Sequence, residues 1–144
     1  MDDEFSLRRF VAAQDAGGTY EHAVGELRAG RKTSHWMWFV FPQIAGLGMS
    51  STSRTYAIAS LAEARAYLAH PVLGPRLREC AAILTGLPVR SAEQVFGSVD
   101  AQKLRSSMTL FARADPAEPL FGQVLDHYFR GEPDPATDRL LAAG

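Results

Sequence analysis

Along this chain apolar residues recur every three or four positions far more often than they alternate, and Ser, Pro and Gly punctuate the gaps. Tyr20, Ala23, Val24 and Leu27 share one helical face, and Gly30 then closes the segment. "SLAEARAYLAHP" opens on Ser60 with Glu63 three residues later, the pairing that satisfies two free amides at a helix start. It ends before Pro71, which disfavours helix at the residue before it and has no N–H to donate. "GPRLRECAAILTG" puts Pro75 in a first turn and Gly86 just past the end. "SAEQVFG" repeats the signals with Ser91, Gln94 and Gly97. Leu104, Met108 and Phe111 form one face of "DAQKLRSSMTLFARA", and Phe121, Val124, Leu125, Tyr128 and Phe129 precede Gly131. "DPATDRLLAA" starts on Asp134 as cap with Pro135 behind it. The pattern predicts an all-α fold: one compact domain over residues 1–144, of about seven mostly short helices, without repeats or linkers.

The segment 36–58 reads two ways. "WMWFVF" fits a short buried strand with which "RTYAI" could pair, or a buried helix beginning after Thr33 or Ser34. Two strands make only a marginal ribbon, so helix is favoured.

Composition narrows the classes. A chain of 144 residues, 47% hydrophobic and 22% charged, has the size and apolar content for one core. Fifteen basic residues against sixteen acidic ones leave a net charge of −1. That balance speaks against a nucleic-acid partner, and the lack of polybasic runs against an anionic membrane. The longest apolar run, from Trp36 to Pro42, falls well short of the roughly 18 residues a membrane span needs. The acidic beginning is the wrong order for a signal peptide, and the single cysteine excludes an internal disulfide, so a soluble cytoplasmic protein is expected. Cys80 shares a face with Leu77, Ala81 and Leu84 and reads as a small buried apolar residue rather than a nucleophile. His22, His35, His70 and His127 show no metal-ligand spacing, no Gly-x-Ser-x-Gly elbow is present, and no metal or cofactor is called for.

Candidate chemistry gathers in three stretches. In "GRKTSHWMWFVFPQ" a helix starting near Ser34 would aim its free amides at Arg31 and Lys32, an anion site strengthened by two cations. The alternative is a solvated basic turn. Trp36 and His35 at its lip are candidates for ligand contact, while Trp38, Phe39 and Phe41 are assigned to the core. A buried indole N–H needs an acceptor, for which His35 or Gln43 would serve. "QIAGLGMSSTS" offers a second cradle at Gly46 and Gly48, or an ordinary turn. In "GSVDAQKLRSSM" a helix lines up Asp100, Lys103 and Ser107 as a polar stripe, or as a plain surface ion pair.

Two functions from different classes stay open. One is binding of a small phosphate-bearing or nucleotide-like ligand by Arg31, Lys32, His35, Trp36, Gln43, Lys103 and Ser107. It extends to hydrolysis if Glu63 or Asp100, with a pKa raised by burial, is the acid–base group. The other is a non-enzymatic interaction or homodimerisation module whose surface is the Trp/Phe segment or the final helices, the latter leaving Phe121, Tyr128 and Phe129 on an exposed patch.

"ELRAGRKTSHWMWFVFPQIAGLGMS", "YAIASLAEARAYLAHPVLGPRLREC" and "VFGSVDAQKLRSSMTLFARA" closely resemble the family catalogued as domain of unknown function 1810, sometimes mislabelled calpastatin. The similarity runs from about Phe5 to Leu141. It implies a compact, mainly helical single domain and supplies no established activity. The Trp-rich early segment, the Glu-Ala-x-x-Tyr-Leu helix from Glu63, the Lys-x-x-Ser from Lys103 before an apolar run, and a late Asp give a more distant likeness to the helical NADAR N-glycosidases, which implies counterparts for Glu63 and Lys103 alone.

Overall fold

A computed structural model describes residues 3–89 and 91–143; residues 1, 2, 90 and 144 of the expected single domain lie outside the described residues. Nine α-helices follow one another among the described residues. They are α1 (Arg8–Asp15), α2 (Thr19–Arg28), α3 (Met37–Val40), α4 (Ser51–Thr55), α5 (Leu61–Ala69), α6 (Leu73–Gly86), α7 (Ala92–Ala114), α8 (Leu120–Phe129) and α9 (Pro135–Ala143). A 3-10 turn, Ala16–Gly18, joins α1 to α2.

The expected punctuation sets most of these boundaries. Ser60 Oγ accepts the Glu63 N–H at 3.1 Å, and Glu63 Oε1 accepts the Ala59 N–H at 2.8 Å, so the capping box closes one residue wider than its simplest form. Ser91 accepts the Gln94 N–H in the same way. Beyond α2, Gly30 adopts φ +73°, and the Gly30 and Arg31 amides bond back to Leu27 and Glu26. This Schellman arrangement satisfies the last carbonyls and reverses the chain. Gly97, expected to end a helix, instead kinks α7: its φ of 80° and ψ of 164° lie where only glycine is comfortable, and helix resumes at once.

Segment 36–58 is resolved in favour of helix, but α3 is a single turn starting at Met37 rather than near Ser34. What survives of the strand alternative is one parallel bridge, Ile44 to Ile58, held by Ala45 N–H to Ile58 O and Ile58 N–H to Gln43 O, each 2.8 Å.

Helix α7 is the hub, packed against α5, α8 and α9, while α6 leans on α2, α5 and α8. Phe111 lies between Tyr67 of α5 and Phe121 of α8, with ring centroids 5.3 and 5.9 Å away. Cys80 is fully buried beside Leu77, Ala81 and Leu84, and burial pushes its thiol up to about 12, which keeps it protonated. No helix among the described residues is long and apolar enough to cross a membrane.

Candidate functional site

The turn after α2 is a built anion cradle, and its occupant is the chain's own Glu26. Because the Schellman turn folds residues 31–36 back over α2, the Thr33 and Ser34 N–H groups donate to Glu26 Oε1 at 2.7 and 2.9 Å. The Ser34 hydroxyl donates to Oε2 at 2.5 Å, and the Trp36 indole N–H to Oε1 at 2.9 Å. Partial burial pulls the Glu26 carboxyl upward, yet these donors together outweigh it and hold the group at about 2. The acceptor for the Trp36 indole is therefore Glu26, not His35 or Gln43. Trp36 itself is 1% exposed and offers no free face to a ligand. Arg31 and His35 are exposed beside this turn and line none of the hollows described below.

Lys32 takes the other direction. Its ammonium reaches Asp100 Oδ2 at 2.8 Å, and Lys103 Nζ meets Asp100 Oδ1 at 3.1 Å. The basic turn and the polar stripe of α7 thus meet at a shared carboxylate rather than in a hollow that both line. Burial raises the Asp100 pKa, but the two ammonium groups more than reverse this and hold it below the ordinary carboxylate value. The expectation that burial would raise it into the range of a general acid is overturned by the lysines. Glu63 is also committed elsewhere: it is buried, ion-paired to Arg9 at 2.9 Å, and engaged in the α5 cap.

Lys103 extends past Asp100 to lie 4.0 Å from the ring centroid of Trp38. Trp38, half-buried rather than core, divides two hollows that also share Gln43, Leu47 and Gly48. The larger, about 430 Å³, is completed by Val99, Gln102, Lys103 and Ser106 of α7 with Asp134 and Ala136 at the start of α9. The smaller, about 120 Å³, runs under the loop 44–48 toward Arg54 and Tyr56. Gly48 is required at this junction: a Cβ there would fall 2.6 Å from Ser53 and 3.4 Å from the Trp38 ring. Among the described residues the large exposed hydrophobic ones are Met49, at 77%, next to Gly48, and Val99, at 69%, on the wall of the larger hollow.

Of the residues expected to bind a ligand, Gln43 and Lys103 line this groove and Lys32 supports it through Asp100. Ser107 does not: it is fully buried, and its hydroxyl has no partner. The serine that faces the hollow is Ser106, which donates to Asp134 Oδ2 at 2.9 Å. Sequence reading missed Trp38, Ser106, Gln102 and the second role of Asp134. The Lys103–Ser spacing was the available signal, but positions 106 and 107 both satisfy it, and only packing separates them. Among the described residues no group of three or more His, Cys, Asp or Glu side chains gathers as a metal site would require.

Comparison with known proteins adds identity of family but not of activity. A solved structure, that of the conserved hypothetical protein Rv1873 from Mycobacterium tuberculosis, is 53% identical, covers 97% of this chain and 99% of its own, and superposes with a TM-score of 0.93. No curated protein matches the chain. A family model described as protein of unknown function (DUF1810) matches residues 4–141, and the chain belongs to that family.

Proposed function

We propose that the groove beside Trp38 binds a small nucleotide-like ligand, a planar ring carrying a phosphate or similar anion. The supporting observation is the charge balance at Lys103. Two ammonium groups share the single Asp100 carboxylate, so neither is fully matched by its ion pair, and Lys103 is held against an indole at the wall of a hollow of about 430 Å³ that the Asp134 carboxylate also lines. That volume lies within the roughly 300–1,000 Å³ of small-molecule sites, whose walls are mostly apolar with a few placed polar groups. An anion arriving at Lys103 pairs with its incompletely matched ammonium, and a ring finds apolar surface on Trp38, Leu47 and Val99.

Binding is favoured over hydrolysis, because Asp100 is ion-paired to two lysines and neither it nor Glu63 lines either hollow. The final-helix version of the interaction-module alternative has little support: Phe121 and Tyr128 are buried, and Phe129 packs half-buried against the core. The near-neutral composition supplies no track for polymeric nucleic acid. One buried, protonated thiol suits a reducing cytoplasm.

The test is titration of the protein with AMP, IMP, CMP and UMP, read by tryptophan fluorescence and thermal shift. Saturating fluorescence changes and a raised Tm are expected, because a ligand of the folded state stabilises it. Lys103→Gln, which keeps most of the stem and removes the charge, should weaken binding about tenfold or more. Trp38→Phe should remove most of the fluorescence response, since Trp36 is enclosed. Absence of any shift with all four nucleotides at about 1 mM would sink the reading.

A further inference from the structure

Asp134 borders the same hollow as Lys103 but meets no cation within ion-pair distance among the described residues, although it is only 4% exposed. Its two oxygens are used very unequally. Oδ2 accepts three donors, the Ser106 hydroxyl at 2.9 Å, the Thr137 hydroxyl at 2.6 Å and the Thr137 N–H at 3.2 Å. Oδ1 accepts the side-chain amide of Gln102 at 3.3 Å, beyond the usual N–H···O range of 2.7–3.2 Å. Gln102 is exposed and lines the hollow too, so this long bond is easily given up. A carboxylate oxygen has two lone pairs, and an ionised, largely desolvated one is a strong acceptor.

We infer that the hollow selects, among the nucleotide-like ligands proposed above, rings that carry an exocyclic amino group, whose N–H donates to Asp134 Oδ1. This rests on the proposed binding at Lys103 and Trp38. Oδ1 accepts one long bond from Gln102, and the Ala136 N–H at the start of α9 also faces the carboxylate, so there is room for a single further donor. A carbonyl at the same ring position would turn a lone pair toward an anion and be rejected, since an unmatched buried acceptor costs more than a matched one gains. Trp38 and Lys103 would hold ring and phosphate without regard to ring substituents, leaving the choice to Asp134.

The geometry also fixes what Asp134→Asn would do. The position of Oδ2 must remain an oxygen, because it accepts the Thr137 N–H, so the amide nitrogen takes the place of Oδ1. Asn caps helices about as well as Asp, so α9 should persist. The variant presents a donor where the wild type presents an acceptor.

Two ligand pairs make the measurement, CMP against UMP and AMP against IMP; each exchanges an exocyclic amino group for a carbonyl and turns the neighbouring ring nitrogen from acceptor into N–H donor. Wild type is expected to prefer the amino member of each pair by about tenfold or more. Asp134→Asn should abolish or reverse the preference while its Tm stays near that of wild type. Gln102→Ala, an exposed site whose loss frees Oδ1, should widen the preference and provides a second reading should Asp134→Asn not fold. Equal affinities within each pair in wild type, or a preference unchanged in either variant, would overturn the inference and leave nucleotide binding standing. Failure of all four nucleotides to bind overturns both.

Discussion

At Glu26 one carboxylate holds together the C-terminal turn of α2, the Thr33–Ser34 backbone and the Trp36 indole. Its protonation state therefore bears on stability. The folded-state value of about 2 lies below the ordinary 4.5, so the stabilisation is complete above about pH 5 and is lost as pH falls through 2. Glu26→Gln keeps the shape but replaces one acceptor oxygen by a donor among donors. We expect it to cost about 1–3 kcal/mol at neutral pH, with the difference from wild type shrinking toward pH 2. Urea unfolding at stepped pH measures this; a difference independent of pH would show that the charge is not what matters. The same residue explains why Trp36 and Trp38 part ways. Two positions apart at the start of a single helical turn, they project to nearly opposite sides, so one indole goes inward to Glu26 and the other outward to Lys103.

At the level of elements, the kink at Gly97 aims the larger part of α7. Every α7 residue lining the larger hollow, Val99, Gln102, Lys103 and Ser106, lies beyond it. Beyond the adjoining stretch of its own helix nothing stands within 4 Å of where a Cβ at Gly97 would be, so the cost of Gly97→Ala is mainly backbone strain. We expect a loss of about 1–3 kcal/mol by urea unfolding. A change under about 0.5 kcal/mol would mean that the kink is dispensable. Elements such as α5 and α6 are readable in the sequence because cap, periodicity and Pro or Gly agree. Helix α1 escapes that reading because the polar Gln14 occupies a fully buried position, where its amide bonds to Phe39 O at 2.7 Å. Helix α4, "STSRT", is built of poor helix formers and depends on its Ser50 cap. The groove was legible only in part. Lys103 and Gln43 stand out as polar residues beside apolar runs, but the exposure of Trp38 and the spare oxygen of Asp134 arise from contacts between distant segments.

For the molecule as a whole, α7 connects the layers through Phe111, enclosed between the rings of Tyr67 and Phe121. Removing this ring should lower stability by about 3–5 kcal/mol in a single cooperative transition. Circular dichroism and tryptophan fluorescence should report the same midpoint for Phe111→Ala; separate midpoints would show that α1–α4 unfold apart from the rest. The lone Ile44–Ile58 bridge works at this scale too. Its two hydrogen bonds act as a drawstring on the chain between them, which holds the Gly46–Gly48 bend, Met49 and α4. Because the string is tied on the core side, changes in the length or residues of that purse should leave the helices beneath in place, and on the proposed reading of the groove they would retune its wall while the hub helix stays as the floor.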